Sequence, residues 1–408
     1  MKTAILFCVV AALTRALTNF NDTACVPNAH WVDELPYFNP AEIQPCSYAG
    51  TLDSNADGSH QMFYWMYPAE DEANRPITLW LNGGPGASSA FANFLMNGPM
   101  RINQTGPGAD DYIVYLADAT WVEATTMIYI DQPVGTGFSY GEPLLTNMTE
   151  AADEFVYFLT QLFTMYPDFV GKDLYFAGES YAGKYVPAFS HAMLMYNQQQ
   201  GSTYFNLLAS MMGDPYTVPV TMRAHMHLVS ESLNIIDDSN MPQIAALIQR
   251  CREILTDENY SDDFKGDVCA SPITYINHVS GYVSGYDNRE FSVDWDAYED
   301  QTINYFTISG QVQTIYQRVH VQDSTKTPVF QMGSSAVGVA FAGDQLIAYS
   351  QTVTDLVSMG LPLLIYAGEW DTRDGPKTVE PWLRSLYFDD NQNFWDQSRQ
   401  TYYVQVPN

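Results

Sequence analysis

The sequence predicts an α/β fold with a mostly parallel central sheet, helices on both faces and an inserted cap. Three observations support this prediction. Short apolar runs of the buried-strand type recur along the chain, segments with helical spacing lie between them, and this alternation breaks once, between about residues 218 and 309. Strands that alternate with helices in this way are typical of a parallel sheet covered on both faces.

Each predicted element follows from a local pattern. Six apolar runs indicate strands, and they are residues 61–67, 77–81, 125–131, 174–177, 205–212 and 361–368. Residues 150–166 carry apolar side chains at helical spacing and precede the fourth strand, and a second helix is expected over 185–196. Within the segment where the strand–helix alternation is interrupted, residues 222–255 are predicted to be helical. Four prolines between residues 27 and 45 exclude a long element there.

The fourth strand runs directly into Gly178-Glu179-Ser180-Tyr181-Ala182-Gly183, which contains the pattern G-x-S-x-G. In that pattern, a sharp strand-to-helix turn holds the serine in a strained conformation at the end of a sheet. Ser180 is therefore a candidate nucleophile. The alternative interpretation is an ordinary corner between a strand and a helix.

Two further loops follow predicted strands. Residues 82–89 contain three glycines within four positions, which leaves backbone N–H groups free to face a ligand; a plain tight turn is the alternative. Asp371 comes shortly after the last strand, and acids at that place lie at the carboxyl edge of the sheet, where α/β sites form. Glu369 and Asp374 are alternative candidates for the same acid.

Composition limits the compartment and the partners. Lys2 followed by an apolar run predicts that residues 1–16 form a secretory signal peptide. The net charge of −30 excludes nucleic acid as a partner and fits a lumenal compartment of low pH: vacuolar, lysosomal or extracellular. Since no apolar run reaches about 18 residues, no membrane span is expected.

An exported chain is expected to oxidise its cysteines. Cys8 falls in the predicted signal peptide, and four cysteines remain, for which three pairings are possible. Their spacing favours the local pairs Cys25–Cys46 and Cys251–Cys269. Candidate glycosylation sequons stand at four asparagines, Asn21, Asn103, Asn147 and Asn259.

Four motifs together resemble the serine carboxypeptidases, which have the α/β-hydrolase fold. They are W-L-N-G-G-P-G (80–86), I-D-Q-P-V-G-T-G-F-S-Y (130–140), G-E-S-Y-A-G-K-Y-V-P (178–187) and Y-A-G-E-W-D (366–371). The resemblance runs from about residue 30 to the end. It implies release of single residues from peptide C-termini at acid pH, with no metal or cofactor and with peptides or proteins as substrates.

The resemblance also implies roles for individual residues. Ser180 is the nucleophile and Asp371 the triad acid, the backbone N–H groups of Gly84 and Tyr181 form the oxyanion hole, and Asn82, the Gly83 amide and Glu179 bind the terminal carboxylate of the substrate.

Two residues depart from the family pattern near this site. Ala87 stands where the family usually has a cysteine, so one common disulfide is absent. Met96 replaces a glutamate that normally shares a proton with the residue at Glu179. Without that neighbour we expect Glu179 to ionise at a lower pH. Asn97 is a candidate neutral donor in its place.

The third departure from the family pattern concerns the histidine that serves as the catalytic base. In this fold the order along the chain is serine, acid, histidine. The seven histidines are His30, His60, His191, His225, His227, His278 and His320, and none follows Asp371. We expect none of them to replace the missing base.

Three hypotheses follow. The first is an exported serine carboxypeptidase whose sequence is incomplete at its C-terminus. The second is a catalytically inactive homologue that binds peptides or a partner, and the third is an acyltransferase, which would also need the histidine. The predicted organisation is a signal peptide (1–16), a first core part (17–217), a cap (218–309) and a second core part (310–408) that lacks the histidine segment. A surface excursion without a role in the site is the alternative for 218–309.

Overall fold

The computed structural model describes residues 25–321, 328–389 and 391–402. A mixed sheet of seven strands, in the order β1-β2-β6-β3-β7-β8-β9, forms the centre of the protein, and β4 and β5 form a separate hairpin. The strands are β1 (Tyr48–Asp53), β2 (Gln61–Tyr67), β3 (Ile77–Leu81), β4 (Met100–Gln104), β5 (Tyr112–Leu116), β6 (Thr126–Asp131), β7 (Asp173–Glu179), β8 (Asn206–Gly213) and β9 (Leu363–Tyr366).

Only one edge of this sheet is antiparallel. β1 pairs with β2, and β2 with β6, in antiparallel register, whereas β6, β3, β7, β8 and β9 are parallel to one another. β3 and β7 are central strands, and all five side chains of β3 are buried. Because parallel strands end at the same edge, the loops after β3, β7, β8 and β9 meet on one side of the molecule.

Twelve α-helices are present in the described part of the chain. They are α1 (Met148–Met165), α2 (Ala182–Gln200), α3 (Pro219–Arg223), α4 (His227–Ser232), α5 (Met241–Leu255), α6 (Asp262–Val279), α7 (Ser292–Thr307), α8 (Val312–Arg318), α9 (Ser335–Ala340), α10 (Ser350–Ser358), α11 (Pro376–Leu383) and α12 (Asn391–Asp396).

Helices α1 and α2 cover one face of the sheet. Phe155 of α1 stacks on Phe176 of β7 at 5.4 Å between ring centroids and on Phe189 of α2 at 4.6 Å. All three rings are fully buried. The apolar spacing of residues 150–166 predicted this packing, because side chains three and four positions apart share one face of a helix.

The opposite face has its own core, to which the end of α7 contributes. Phe306 packs edge-on against Trp65 of β2 and against Phe138, with ring centroids at 6.5 and 5.6 Å. The sheet is therefore covered on both faces, as the sequence predicted.

The segment predicted to form a cap, residues 218–309, is mostly helical, but residues 222–255 are not one continuous helix. Turns interrupt the α-helix between α3 and α4, and again between α4 and α5, where Asn234 has a φ of 56°. The disulfide Cys251–Cys269 joins α5 to α6, and Cys25–Cys46 joins the first described residue to the segment before β1. Both predicted pairings are confirmed.

Several other expectations can be placed on the structure. All six predicted strands are present, with ends that differ by a few residues. Among the described helices, none combines the length and apolar character that crossing a bilayer requires. Asn103 and Asn259 are exposed, whereas Asn147 caps α1 by accepting a hydrogen bond from the Glu150 N–H. The predicted signal peptide and Asn21 lie outside the described residues.

Candidate active site

Ser180 lies in the sharp turn between β7 and α2. Its φ is 61°, in the left-handed region that a residue with a side chain rarely adopts. Its N–H donates to the Gly213 carbonyl at the end of β8, and its own carbonyl accepts from the N–H groups of Gly183 and Tyr216 at 2.8 Å each. These bonds offset the backbone strain and hold the hydroxyl at the carboxyl edge of the sheet.

The glycine loop after β3 approaches this turn closely. A Cβ at Gly83 would lie 2.3 Å from the Tyr181 nitrogen, so only glycine allows the two backbones to meet. Asp131, buried at the end of β6, braces the loop by accepting from the Ser88 hydroxyl at 2.7 Å and the Ser89 N–H at 2.9 Å. As a result, Gly84 and Tyr181 line one pocket together with Ser180.

Asp371 lies in the loop after β9, five residues beyond the strand rather than directly after it. Its carboxylate is buried and accepts from the N–H groups of Arg373 at 2.6 Å and Asp374 at 2.8 Å. Glu369 is exposed, whereas Asp374 is buried and lines the pocket with Ser180. Burial therefore leaves Asp371 and Asp374 as candidates for the acid at the carboxyl edge of the sheet and argues against Glu369.

Four carboxyl groups lie near one another under the pocket. Burial and the charge of Asp374 raise the pKa of Asp371 well above its usual range. Burial raises the pKa of Asp374 to about 7 and that of Asp214 to about 6. Burial, with Asp374 and Asp214 nearby, raises the pKa of Glu179 to about 8. At mildly acid pH these groups are therefore largely neutral.

This result differs from the expectation for Glu179. The loss of a carboxyl neighbour at Met96 was expected to let Glu179 ionise at a lower pH, but Asp374 and Asp214 supply other carboxyls beside it. Met96 is 38% exposed. The Asn82 amide lies 3.4 Å from the Glu179 carboxylate.

Asn97 is buried beside β6 and not free to turn. Its side-chain carbonyl accepts from the Tyr129 hydroxyl at 3.0 Å, and its backbone carbonyl accepts from Trp121 and Thr120. Its amide nitrogen has no hydrogen-bond partner among the described residues.

A buried ion pair anchors Tyr181, the residue that follows Ser180. Lys184, fully buried on α2, lies 3.5 Å from the Asp344 carboxylate. That carboxylate also accepts from the hydroxyls of Tyr181 at 2.9 Å and Tyr349 at 2.8 Å. Lys184 lies over the Tyr181 ring at 4.7 Å. The network fixes Tyr181, and with it one wall of the pocket.

The histidines have other environments. Among the described residues that line the pocket, none is a histidine. His60 pairs with Glu154 at 2.6 Å, His30 contacts Tyr64 and stacks on His320, and His225 contacts the Thr221 carbonyl. That no histidine replaces the base stays a prediction.

A family model described as "Serine carboxypeptidase" matches residues 38–406. The chain belongs to the serine carboxypeptidase family. It is 26% identical over 368 residues to a probable serine carboxypeptidase CPVL of Dictyostelium discoideum, covering 85% of this chain and 67% of that protein. It is also 29% identical to carboxypeptidase Y of Komagataella phaffii, with coverage of 79% and 61%, and 28% identical to a venom serine carboxypeptidase of Apis mellifera, with coverage of 88% and 75%. The chain thus spans roughly 60 to 75% of the length of these relatives.

A solved structure confirms the family's α/β-hydrolase fold for this chain. The prohormone-processing carboxypeptidase Kex1(delta)p of Saccharomyces cerevisiae superposes with a TM-score of 0.75 at 23% identity, over 89% of this chain and 83% of that one. At 23% sequence identity, the similarity to Kex1(delta)p shows the fold alone.

The structure brings most of the predicted site residues together. Ser180, Tyr181 and Gly84 line one pocket, while Gly83, Asn82 and Glu179 lie directly behind them. Asp371 is one loop away, linked through the Asp374 N–H.

Other residues of the site were missed. Asp214 follows β8 and had the same strand-end signal that pointed to Asp371. Arg223 and Arg373 line the pocket without any sequence signal. The placement of Arg223 depends on how residues 218–309 fold, and Arg373 comes from the loop that carries Asp371.

Proposed function

We propose that this chain has serine carboxypeptidase chemistry, releasing C-terminal residues from peptides through an acyl-enzyme. The observation that carries the proposal is the strained turn at Ser180, which faces a pocket shared with the backbone of Gly84 and Tyr181. A nucleophile next to two backbone N–H groups is the arrangement that stabilises a tetrahedral oxyanion.

In the proposed reaction the Ser180 oxygen attacks the carbonyl carbon of the last peptide bond. The oxyanion that forms accepts from the N–H groups of Gly84 and Tyr181, each worth about 3 kcal/mol in the transition state. The amine of the released residue leaves with a proton, and water then hydrolyses the ester on Ser180. Both steps need a base that takes the proton of the nucleophile.

Asp371 is the proposed acid that orients this base. Its carboxylate is buried at the carboxyl edge of the sheet, where a charged imidazole would find a partner. Since no histidine lines the pocket within the described residues, we expect the 408-residue chain alone to turn over about 10⁴-fold more slowly than a complete triad.

A neutral organophosphorus reagent tests the nucleophile independently of peptide binding. We expect it to modify Ser180 in the wild-type chain and to leave Ser180→Ala unmodified, as read by mass spectrometry. Added imidazole is expected to accelerate modification of the wild type, because it can supply the missing base. Modification at another serine would refute the assignment.

Among the described residues no histidine lines the pocket, and this favours a second candidate, an inactive homologue that binds peptides. The two candidates differ in the imidazole experiment. An inactive homologue would bind peptides in the pocket but show no gain in peptide hydrolysis with imidazole, whereas the proposed enzyme would show that gain and lose it in Ser180→Ala.

We also propose export to an acidic lumen, where Glu179, Asp214 and Asp374 are largely protonated. In this proposal residues 218–309 form the cap over the site. Arg223, Met226, Ala270 and Ile273 of this segment line the pocket and support its role as a cap.

A further inference from the structure

Two arginines line the pocket beside Ser180, and we call them the guanidinium pair. Arg223 comes from α3 of the cap, and Arg373 comes from the loop that carries Asp371. Both side chains are partly buried. Within the described ranges, neither forms an ion pair with a carboxylate, although six other such pairs are present.

Neutral groups hold both guanidiniums in place. Arg223 donates to the Gly266 carbonyl at 3.1 Å and lies 5.5 Å from the centroid of the Tyr216 ring. Arg373 donates to the Tyr286 hydroxyl at 2.8 Å and lies 4.8 Å from the centre of that ring. A planar guanidinium fixed in this way retains N–H groups in a geometry that matches a carboxylate.

The pair is also close to the nucleophile. The Tyr216 ring that supports Arg223 belongs to the residue whose N–H donates to the Ser180 carbonyl at 2.8 Å. Arg373 is two residues beyond the proposed triad acid and donates its backbone N–H to that carboxylate. A group bound between the two arginines would therefore lie next to the reacting bond.

The carboxyl groups whose negative charge would offset the guanidinium pair are buried. Asp374 lines the same pocket, and its Oδ1 atom has no hydrogen-bond partner among the described residues. Glu179, Asp214 and Asp371 lie behind it and affect the electrostatics of the same pocket. When these carboxyls are protonated, the pocket carries the net positive charge of the guanidinium pair.

We propose that Arg223 and Arg373 receive a carboxylate of the bound substrate in the Ser180 pocket. This inference rests on the proposed function and extends it, since it gives the substrate group that the pocket selects. The carboxylate has two possible sources, the peptide C-terminus or an acidic side chain next to the cleaved bond. Both offer the same bidentate partner to a guanidinium.

Binding to the Ser180→Ala chain tests the proposal without turnover. The probes are an acetylated peptide with a free C-terminus, its C-terminal amide, and amidated peptides that carry Glu or Gln at the penultimate position. Calorimetric titration at about pH 6, where the raised pKa values keep Glu179 and Asp374 largely protonated, should show at least tenfold tighter binding of one carboxylate-bearing peptide than of its neutral counterpart. The peptide that shows this difference from its neutral counterpart identifies the source of the carboxylate, either the C-terminus or the penultimate side chain.

Substitutions then identify the residues that bind the carboxylate. Arg223→Gln and Arg373→Gln should each weaken binding of the preferred peptide about tenfold or more, with little effect on its neutral counterpart. Arg223→Lys should restore part of the loss. Arg384→Gln is the matched control, because it removes an exposed arginine on α11 that pairs with Glu380. Thermal melts establish that each variant is folded.

The variant Asp374→Asn distinguishes carboxylate binding by the guanidinium pair from a purely structural role of the two arginines. If the pair receives a carboxylate, removing the competing charge should tighten binding several-fold at about pH 8, where Asp374 is ionised in the wild type. If the arginines only balance Asp374, the carboxylate and neutral peptides will bind alike in every variant, and that result overturns the proposal.

The organophosphorus reagent keeps the two proposals distinguishable. Because it carries no carboxylate, its reaction reports on Ser180 alone, and the control Arg384→Gln should be modified as the wild type is. Loss of modification in the wild type would count against the serine chemistry, whereas loss of the carboxylate preference alone would count against the guanidinium pair.

Discussion

The Lys184 ammonium lies inside the protein, next to Tyr181, the residue that follows Ser180. Asp344 is its ionic partner and accepts two tyrosine hydroxyls at the same time. Burial lowers the pKa of Lys184 to about 7, although Asp344 acts in the opposite direction. Removing one member of such a pair leaves an uncompensated buried charge, which costs more than the pair contributes.

Asp344→Ala is therefore expected to lower the free energy of unfolding by about 3–5 kcal/mol, measured by urea denaturation. The double variant Asp344→Leu with Lys184→Met should recover much of that loss. Glu380→Ala, which breaks the exposed pair with Arg384, should cost under about 1 kcal/mol. Equal costs for Asp344→Ala and Glu380→Ala would show that the interior pair is not desolvated as described.

His30 and His320 stack with ring centroids 5.8 Å apart. Burial, and then the charge of His320, lower the pKa of His30 to about 4. The unfolded chain binds a proton to His30 near pH 6.5, whereas the folded protein resists it down to about pH 4. The stability that neutral His30 provides is thus present above pH 6.5 and is lost as pH falls toward 4.

His30→Gln should flatten that part of the pH profile. Between pH 6.5 and 4 the wild type is expected to lose up to about 3 kcal/mol more unfolding free energy than the variant. Urea titrations of both proteins across that window measure the difference. Parallel profiles would mean that the imidazole protonates without opposition in the folded state.

At the scale of secondary structure, β7 and α2 were predictable from local sequence. The apolar run 174–177 and the G-x-S-x-G pattern determine a strand, a turn and a helix start without reference to distant residues. The cap was not predictable in the same way. Breaks between α3, α4 and α5 depend on packing against α6 and α11, so residues 222–255 look like one helix locally.

The same contrast explains which site residues could be found. Ser180 is recognisable from the G-x-S-x-G pattern that follows a strand. Gly83 belongs to a glycine-rich loop, and only glycine allows its close approach to Tyr181. Arg223 reaches the pocket only because α3 folds over the sheet, and nothing in its neighbours along the chain indicates this. Asp214 had the strand-end signal, but its closeness to Glu179 follows from the pairing of β7 with β8.

Helix α1 is held to the sheet by Phe155, which stacks on two other aromatic rings and is fully buried. Phe155→Ala should lower the free energy of unfolding by about 3–5 kcal/mol through lost burial and a residual cavity. Tyr387→Ala is the control, since that ring is 86% exposed and should change stability by under about 0.5 kcal/mol. Denaturant titration distinguishes the two.

At the scale of the whole molecule, two disulfides join segments that are close in sequence. If residues 1–16 are removed on export, the mature protein should have no free thiol, because the four remaining cysteines are paired. Thiol titration of unfolded, unreduced mature protein is expected to find none. Two or four reactive thiols per chain would contradict the pairing.

The strand order has a consequence for how the protein folds. β9 pairs in parallel with β8, yet about 150 residues, including the whole cap, lie between them in the chain. During synthesis from the N-terminus, the six preceding strands of the sheet emerge first, and the outer edge of β8 has no partner until β9 is made. Contacts this distant in sequence form slowly, and an unpaired strand edge promotes aggregation in the meantime. The loop that carries Asp371 follows β9, so the nascent chain exposes its serine turn long before it acquires the acid.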